Sequence, residues 1–283
     1  MSDNLLGAAQ IRKLASELDL IPTKKLGQNF VIDPNTVRRI VDLAQIDSND
    51  VVVEIGPGLG SLTLGLLESA KSVIAVEIDA RLADQLSRTV AGINPELLPK
   101  LTVVNQDALQ VSELPSLATK LVANLPYNIS VPVILHFLDK FPDLSQIFVM
   151  VQAEVGERLA AAAGSKVYGV PSVKARYYAE AKLVANISRQ IFWPVPNVDS
   201  VLVRLVRHEN SGTAISKTEL FPIIDGAFSQ RRKTLRSALS NHFGGTEQVE
   251  RVLRLANIDP KLRGEQLDYS GFLAIAMAAR EVK

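Results

Sequence analysis

The stretch Val51-Val52-Val53-Glu54-Ile55-Gly56-Pro57-Gly58-Leu59-Gly60 decides the fold. Its first half is a β-branched, mostly apolar run, which predicts a strand covered on both faces, as in a parallel sheet. Its second half is a glycine-rich turn, and residues 62–70 follow with a helical pattern. A strand, a tight turn and a helix in this order predict the first βα unit of an α/β protein.

Four further short apolar runs repeat this strand pattern along the chain. They occupy residues 73–76, 101–104, 121–123 and 147–151. Helical patterns at residues 81–90 and 130–138 alternate with them, so right-handed crossovers predict a doubly wound, Rossmann-like sheet. Two later runs, residues 181–187 and 201–206, follow each other without a helix and predict an antiparallel pair at one sheet edge.

The character of the chain changes after residue 208. Residues 209–216 are mostly polar and contain Gly, which predicts a linker. Residues 217–283 carry apolar side chains at helical spacing, with breaks such as Gly244-Gly245. We therefore expect an α/β domain over residues 1–208 and a small all-helical domain over residues 217–283.

The composition narrows the class of protein. Of the 283 residues 47% are hydrophobic and 22% charged, as in soluble globular proteins. The chain has no Cys and only three scattered His, so we expect a metal-free site without a thiolate nucleophile. It has no bilayer-length apolar run and no signal peptide, so we expect a cytoplasmic protein. The net charge of +1 means that any nucleic-acid contact must be local.

Three features predict a nucleoside ligand. The loop Gly56–Gly60 has the spacing G-x-G-x-G, and Pro57 removes one N–H from the loop that would cradle a pyrophosphate. Glu77 ends the second strand, where a carboxylate accepts hydrogen bonds from ribose hydroxyls; the alternative is a solvated helix-capping carboxylate. Asp107 follows the third strand and either accepts from an adenine amino group or caps the next helix. S-adenosylmethionine fits this phosphate-free adenosyl site, and NAD does not.

The tetrapeptide Asn124-Leu125-Pro126-Tyr127 leaves the carboxyl end of a predicted strand, where open α/β sheets bind ligands. The Asn124 side-chain oxygen and the Leu125 carbonyl can accept the hydrogens of an amino group on a planar base. Pro126 fixes the loop and Tyr127 offers a stacking face. The alternative is a turn with a helix-capping Asn. The neighbouring adenosyl site favours the base-holding interpretation.

Five motifs occur along the chain in a recognisable order. They are residues 26–30 (LGQNF), 54–60 (EIGPGLG), 124–130 (NLPYNIS), 192–200 (FWPVPNVDS) and 228–236 (FSQRRKTLR). Together they resemble the bacterial small-subunit (16S) ribosomal RNA adenine N6,N6-dimethyltransferases, the family whose loss gives kasugamycin resistance. The resemblance extends from about Lys24 to Tyr269, which is nearly the whole chain.

The resemblance implies a class I methyltransferase that uses S-adenosylmethionine. Its expected activity is dimethylation of N6 on two adjacent adenines near the 3′ end of small-subunit rRNA, with a role in small-subunit biogenesis. Residues 1–35 are expected to contribute to the cofactor site. By position, the resemblance places Asn29, Val31, Gly56, Gly58, Glu77, Asp107 and Asn124 around the cofactor.

The resemblance also implies two aromatic rings against the target base, Tyr127 and Phe192. A base must leave its stack to react, and aromatic rings stabilise the extruded form. From the residues alone, Phe192 is equally consistent with packing in an edge loop beside Trp193, and the resemblance favours stacking.

RNA contact is expected from a local basic cluster. Seven basic residues lie between Arg204 and Arg236 against three acidic ones. The run Arg231-Arg232-Lys233, with Arg236 nearby, is the strongest phosphate-binding candidate, and the alternative is a solvated helix face. Lys24 and Lys25 are weaker candidates. We expect a monomer whose partner is small-subunit rRNA in an immature small ribosomal subunit.

Three other functions compete with this interpretation. The first is a large-subunit adenine methyltransferase of the macrolide-resistance type, which shares the fold and a similar loop, although the motif at residues 192–200 argues against it. The second is a non-catalytic ribosome assembly factor, which would not need an intact loop at residues 124–127. The third is a small-molecule methyltransferase, which would have little use for a basic helical domain.

Overall fold

A computed structural model describes residues 4–20, 29–209 and 214–282 of the chain. Contacts divide the chain into two compact units. The first comprises Met1–Gly156 and Lys182–Arg207, and the second comprises Glu157–Ala181 and His208–Lys283. Half of the predicted linker, residues 210–213, lies outside the described residues.

The second unit contains a segment that the sequence assigned to the first. Glu157–Ala181 groups with the helices near the carboxyl terminus, although its last three residues begin a strand of the sheet. The reason is its packing, because Tyr168 and Val173 are buried in the apolar core of the second unit. The Tyr168 hydroxyl also donates to the Leu267 carbonyl oxygen at 3.0 Å. The expected boundary at residue 208 is therefore corrected for this segment.

Nine strands are formed within the described residues. They are β1 (Phe30–Val31), β2 (Val51–Ile55), β3 (Ser72–Glu77), β4 (Leu101–Asn105), β5 (Lys120–Asn124), β6 (Gln146–Gln152), β7 (Ala179–Ile187), β8 (Phe192–Trp193) and β9 (Ser200–Arg207). Seven of them form one sheet in the order β4-β3-β2-β5-β6-β9-β7, and β1 pairs with β8 in a separate antiparallel ribbon.

The sheet confirms the predicted Rossmann-like class. Strands β2, β3, β4, β5 and β6 pair in parallel, whereas β9 runs antiparallel to β6. Strand β2 lies between β3 and β5, so the chain winds outward in one direction and then in the other. The crevice at the carboxyl ends of these strands is the place where open α/β sheets bind ligands.

Twelve α-helices complete the two units within the described residues. They are α1 (Ala8–Glu17), α2 (Pro34–Ala44), α3 (Ser61–Ser69), α4 (Ala80–Ile93), α5 (Ser130–Lys140), α6 (Ala153–Leu159), α7 (Val170–Tyr178), α8 (Lys217–Phe228), α9 (Leu235–Ala238), α10 (Ser240–Phe243), α11 (Thr246–Leu255) and α12 (Tyr269–Val282). Short 3₁₀ helices occupy Pro95–Lys100, Ala108–Gln110, Arg189–Ile191 and Gly264–Gln266. None of the helices in the described ranges is long and apolar enough to cross a membrane.

Local sequence explains where several helices begin. Asp33 accepts from the backbone N–H groups of Asn35 and Thr36, and Pro34 occupies the first helical position of α2. Asp79 accepts from the N–H of Arg81 and so caps α4. These caps place the amino-terminal ends of α2 and α4 directly after β1 and β3.

Each unit has its own apolar core. The mostly apolar runs of β2, β3 and β5 are buried at successive positions and therefore on both faces, as expected for parallel strands. In the second unit α8, α11 and α12 contribute most of the core, where the rings of Phe228 and Phe272 stack with centroids 5.9 Å apart.

Gly65 tests the packing of α3 against α2. A Cβ at Gly65 would lie 2.6 Å from Val37 Cγ1, so Gly65→Ala should overpack the interface and lower the free energy of unfolding by about 1–3 kcal/mol. Gly92 in α4 is the matched control, because a Cβ there meets nothing within 4 Å. Gly92→Ala should be neutral or stabilise by up to about 1 kcal/mol. Urea unfolding of both variants measures the difference, and equal midpoints would contradict it.

Candidate active site

One cavity of about 240 Å³ opens among the loops that follow β2, β3, β4 and β5. It lies at the crevice that the strand order creates. All seven residues expected around the cofactor line it: Asn29, Val31, Gly56, Gly58, Glu77, Asp107 and Asn124. They come from five separate parts of the chain, and the fold brings them together. Residues 21–28, including Lys24, Lys25 and most of the first motif, lie outside the described residues.

The glycine loop forms the cavity wall after β2. Gly56, Gly58 and Gly60 have φ angles of +67°, +57° and +95°, in the left-handed region that favours glycine. A Cβ at Gly58 would also approach Phe30 Cε1 to 2.8 Å. The Gly58 N–H donates to Glu77 Oε2 at 3.2 Å, which ties the loop to the end of β3.

Glu77 is held from two sides and still faces the cavity. Its Oε1 accepts from the Asp79 N–H at 3.0 Å, and its Oε2 accepts from Gly58. Burial raises the pKa of this carboxyl above its ordinary value, and the backbone hydrogen bonds from Asp79 and Gly58 oppose the rise. Each carboxylate oxygen has a second lone pair, so Glu77 can accept further hydrogen bonds from ligand hydroxyls.

Asp107 serves one of its two expected roles in the structure and leaves an oxygen for the other. Its Oδ1 accepts from the Leu109 N–H at 2.9 Å and caps the 3₁₀ helix Ala108–Gln110. Asp107 also lines the cavity, beside apolar side chains such as Ile78 and Leu82. The cap and an adenine contact are therefore compatible, because they use different oxygens.

Asn124 ends β5 and joins two walls of the cavity. Its Nδ2 donates to the Asn29 carbonyl oxygen at 3.0 Å, which turns Oδ1 away from Asn29. Within the described residues neither Asn124 Oδ1 nor the Leu125 carbonyl oxygen accepts a hydrogen bond. The loop is fixed because the Leu125 N–H donates to the Met150 carbonyl oxygen at 3.1 Å and Ser130 Oγ donates to that of Pro126 at 2.9 Å.

The two expected stacking rings lie in different environments. Tyr127 is half-buried, and its hydroxyl is 2.8 Å from Ser200 Oγ. Phe192 is only 1% exposed and belongs to the core of the first unit. Its backbone pairs with Val31 across the β1–β8 ribbon. A ring that receives a base must be accessible, so the expectation of stacking by Phe192 is corrected to core packing in this structure.

The ribbon explains this outcome. Successive strand residues point to opposite faces, so Phe192 and Trp193 lie on different faces of the ribbon. Phe192 enters the core, and Trp193 stays half-buried with its ring 6.3 Å from that of Phe30.

Glu54 is a cavity residue that the site prediction missed. It lines the cavity at the end of β2, is 2% exposed, and accepts from Thr63 Oγ1 at 2.6 Å. Burial raises the pKa of Glu54 to about 8; the Thr63 hydrogen bond opposes the rise, and the charge of Glu77 adds to it. The signal was present in the sequence, because a carboxylate inside an otherwise apolar strand is costly to bury without a purpose.

The residues around the cavity fit S-adenosylmethionine. Three features of the cavity suit a ribose and an adenine. They are a glycine loop whose space a Cβ would fill, a buried carboxylate at the end of β3, and a carboxylate beside apolar side chains. In the part of the chain that the structure describes, no group of three His, Asp or Glu side chains is arranged to hold a metal ion.

The fold and the site define a Rossmann-like class I methyltransferase that uses S-adenosylmethionine. A family model described as "Ribosomal RNA adenine dimethylase" matches residues 22–277. The chain therefore belongs to the ribosomal RNA adenine dimethylase family, as the five motifs predicted.

Similar proteins support this assignment. The chain is 55% identical over 276 residues to the "Ribosomal RNA small subunit methyltransferase A" of Corynebacterium efficiens, with 96% of each chain covered. It is 56% identical to the protein of the same name from Streptomyces avermitilis, covering 97% of this chain and 94% of that one.

Solved structures share the fold. A dimethyladenosine transferase from Plasmodium falciparum matches with a TM-score of 0.75 and 28% identity, over 88% of this chain and 97% of that one. A 23S rRNA methyltransferase, ErmE, matches with a TM-score of 0.66 and 24% identity, over 89% of this chain and all of that one. The second likeness shows the fold alone.

The raised pKa of Glu54 predicts a pH-dependent stability. The folded protein holds a proton on Glu54 that the unfolded chain, with the ordinary pKa of 4.5, releases. This contribution to stability is complete below pH 4.5 and is lost as the pH rises through about 8. Because Gln stays neutral, Glu54→Gln should reduce by roughly 2–4 kcal/mol the free energy of unfolding that is lost as the pH rises.

Urea unfolding of the ligand-free protein across this pH range measures the effect. Glu113→Gln removes an exposed carboxylate of the same unit and serves as the control. Parallel pH profiles for parent and Glu54→Gln would contradict the assignment.

Proposed function

We propose that the loop at residues 124–127 presents N6 of an adenine in small-subunit rRNA to S-adenosylmethionine bound in the cavity. The observation that carries this proposal is the position of Asn124. It lines the cofactor cavity, its Nδ2 is fixed by Asn29, and its Oδ1 has no partner in the described part of the chain. One residue thus belongs to the cofactor wall and offers an acceptor to a second ligand.

The cofactor roles follow from the cavity lining. Glu77 accepts hydrogen bonds from the ribose hydroxyls, and the unused oxygen of Asp107 accepts from the adenine amino group of the cofactor. Gly56 and Gly58 allow the backbone to approach the ligand closely. Asn29 and Val31 also line the cavity.

The chemistry required from the protein is orientation of a weak nucleophile. The lone pair of adenine N6 is delocalised into the ring, so the amino group must be held in a pyramidal form aimed at the methyl group. Asn124 Oδ1 and the Leu125 carbonyl oxygen accept its two hydrogens and favour that form. S-adenosylmethionine would supply a methyl group on a sulfonium, whose departure as a neutral thioether needs no general acid, and the proton that N6 loses on methylation would pass to solvent.

The target base must leave its stack to enter this site. Tyr127 lies next to the acceptor pair and is the ring that we assign to the base, with a stacking contribution of about 1–3 kcal/mol. Phe192 has no part in this assignment because it is buried in the core. The extruded adenine is thus held by two acceptors at its edge and one ring at its face.

The substrate is ribosomal RNA, and its small-subunit identity is supported by relatives. Proteins 53–56% identical to this chain are named as small-subunit methyltransferases. The likeness to the 23S enzyme is of fold only. The large-subunit and non-catalytic alternatives are therefore disfavoured. We further propose that the protein acts as a cytoplasmic monomer on immature small subunits, where adenines near the 3′ end are still accessible.

The charge distribution supports RNA binding by the second unit. This unit has 15 basic and 11 acidic residues, a net charge of +4, whereas the first unit has 16 and 19, a net charge of −3. Within the predicted cluster, Arg231 pairs with Glu265 and Arg236 with Glu250. The side chains of Arg232 and Lys233 are exposed and have no ion pair among the described residues. These two are the best phosphate contacts of the four.

Replacement of Asn124 tests the proposed function. Asn124→Ala removes the acceptor and should lower methyl transfer to small subunits by at least about 100-fold, since a single oriented acceptor in such sites contributes on this scale. Binding of S-adenosylmethionine, measured by calorimetry, should weaken only slightly.

The substrate for this assay is small subunits from cells that lack the enzyme, and mass mapping of the RNA identifies the methylated adenines. Asn35→Ala, on the exposed surface of α2, is the control and should keep full activity. Unchanged turnover of Asn124→Ala would refute the assignment, and methyl transfer to large-subunit RNA alone would favour the other enzyme class.

Salt dependence tests the basic cluster. Each lost phosphate contact lowers the slope of log K against log[salt] by about 0.7–0.9. Arg232→Ala/Lys233→Ala should therefore make the slope shallower by about 1.4–1.8. Arg251→Ala/Arg254→Ala removes the same charge from the exposed side of α11 and should leave the slope nearly unchanged. Equal slopes for the two double variants would exclude the cluster as an RNA contact.

A further inference from the structure

A hydrogen bond joins the motifs at residues 124–130 and 192–200 through two residues that are 73 positions apart. The Tyr127 hydroxyl is 2.8 Å from Ser200 Oγ, and either oxygen can donate. Ser200 is fully buried, so its hydroxyl has no access to water as an alternative partner. Burial raises the pKa of Tyr127, and the hydrogen bond with Ser200 partly opposes this rise.

Ser200 is held in place by the sheet. It begins β9 and pairs with Gln152 at the end of β6. The neighbouring Asp199 carbonyl oxygen accepts from the Ala153 N–H at 3.0 Å, and the Asp199 carboxylate accepts from the Arg189 N–H at 3.3 Å. These contacts fix the backbone on both sides of the hydroxyl, which makes Ser200 a rigid anchor.

The Tyr127 ring has less support of its own. Hydrogen bonds hold the backbone before it, at Leu125 and Pro126, and Ser130 Oγ also donates to the Tyr127 carbonyl oxygen at 3.4 Å. The ring is absent from the close aromatic pairs of the described residues, and its hydroxyl bonds at the far end of the side chain. Two torsion angles set the direction of a tyrosine ring, and a bond at its tip restricts both.

We propose that Ser200 is a positioning residue, which orients the Tyr127 ring for stacking on the target adenine. This inference rests on the proposed function of the loop at residues 124–127. It gives a physical reason for a serine at the end of the motif at residues 192–200, whose aromatic member Phe192 is buried. The two motifs then act together on one base through their hydroxyl groups.

The two methyl transfers should depend on this orientation to different degrees. An unmodified adenine offers two N6 hydrogens to Asn124 Oδ1 and the Leu125 carbonyl oxygen. A monomethylated adenine offers only one, so its position depends more on the stacking ring. Loss of the Tyr127–Ser200 hydrogen bond should therefore slow the second transfer more than the first.

The test uses two single variants, each of which removes one partner of the Tyr127–Ser200 hydrogen bond. Ser200→Ala deletes one hydroxyl, and Tyr127→Phe deletes the other while it keeps the ring. In single-turnover reactions on unmethylated small subunits, each variant should slow the second transfer about tenfold and the first by less. N6-monomethyladenine should then accumulate, as measured by mass spectrometry of the RNA. The double variant should be no slower than either single one, because all three lack the same interaction.

Two controls separate positioning from a general loss of structure. Ser200→Thr keeps the hydroxyl and should recover most of the dimethylated product. Ser145→Ala removes a hydroxyl from the same unit, where Ser145 Oγ donates to the Thr119 carbonyl oxygen, and should leave the product ratio unchanged. Calorimetric affinity for S-adenosylmethionine should be the same in all variants, since neither Tyr127 nor Ser200 lines the cofactor cavity.

Several outcomes would overturn the proposal. If the effects of Ser200→Ala and Tyr127→Phe multiply in the double variant, the two hydroxyls act independently. If Tyr127→Phe leaves the ratio of monomethylated to dimethylated adenine unchanged, the hydrogen bond does not orient the ring. This outcome can be read from Tyr127→Phe alone, even if Ser200→Ala does not fold. A parent enzyme that does not methylate small subunits would instead refute the proposed function, which is a separate readout.

Discussion

Parallel pairing of β2 with both β3 and β5 is the constraint on which the site depends. It brings the carboxyl ends of three strands to the same edge of the sheet, so the residues that follow them meet although they are far apart in sequence. Gly56, Glu77 and Asn124 each follow or end one of these strands. A shift of register in any pair would move one wall of the cavity relative to the others, and the buried apolar runs oppose such a shift.

Hydrogen bonds then convert this coarse alignment into a defined site. Gly58 donates to Glu77, which fixes the glycine loop against β3, and Asn124 donates to Asn29, which fixes the end of β5 against the segment before β1. Each bond uses only part of the hydrogen-bonding capacity of a side chain and leaves the rest for a ligand. Asn124 keeps its oxygen and Glu77 keeps its remaining lone pairs. Preorganisation of this kind reduces the ordering cost when ligands bind.

The sequence predicted the sheet, and the residues that it placed around the cofactor line one cavity, because both features depend on local signals. Short apolar runs mark buried strands, and polar residues directly after them mark the ligand edge. Two other features depend on contacts that periodicity does not encode. Glu157–Ala181 joins the second unit through the burial of side chains such as Tyr168, and Phe192 enters the core because of which face of a two-residue strand it occupies. A one-residue difference in register would exchange the faces of Phe192 and Trp193, and nothing in the motif itself distinguishes these possibilities.

The shared position of Asn124 has a consequence for how two ligands are accommodated. In the proposed function the same side chain borders the cofactor cavity and accepts from the target base, which places the two reacting groups relative to one another by a single rigid element. Orientation then does not require closure of one unit on another, since every residue assigned to chemistry lies in the first unit. The positively charged second unit can be specialised for the RNA backbone, whose recognition depends on charge and tolerates looser geometry. Methyl transfer, which requires a well-defined approach of two atoms, remains with the part of the molecule that the sheet makes rigid.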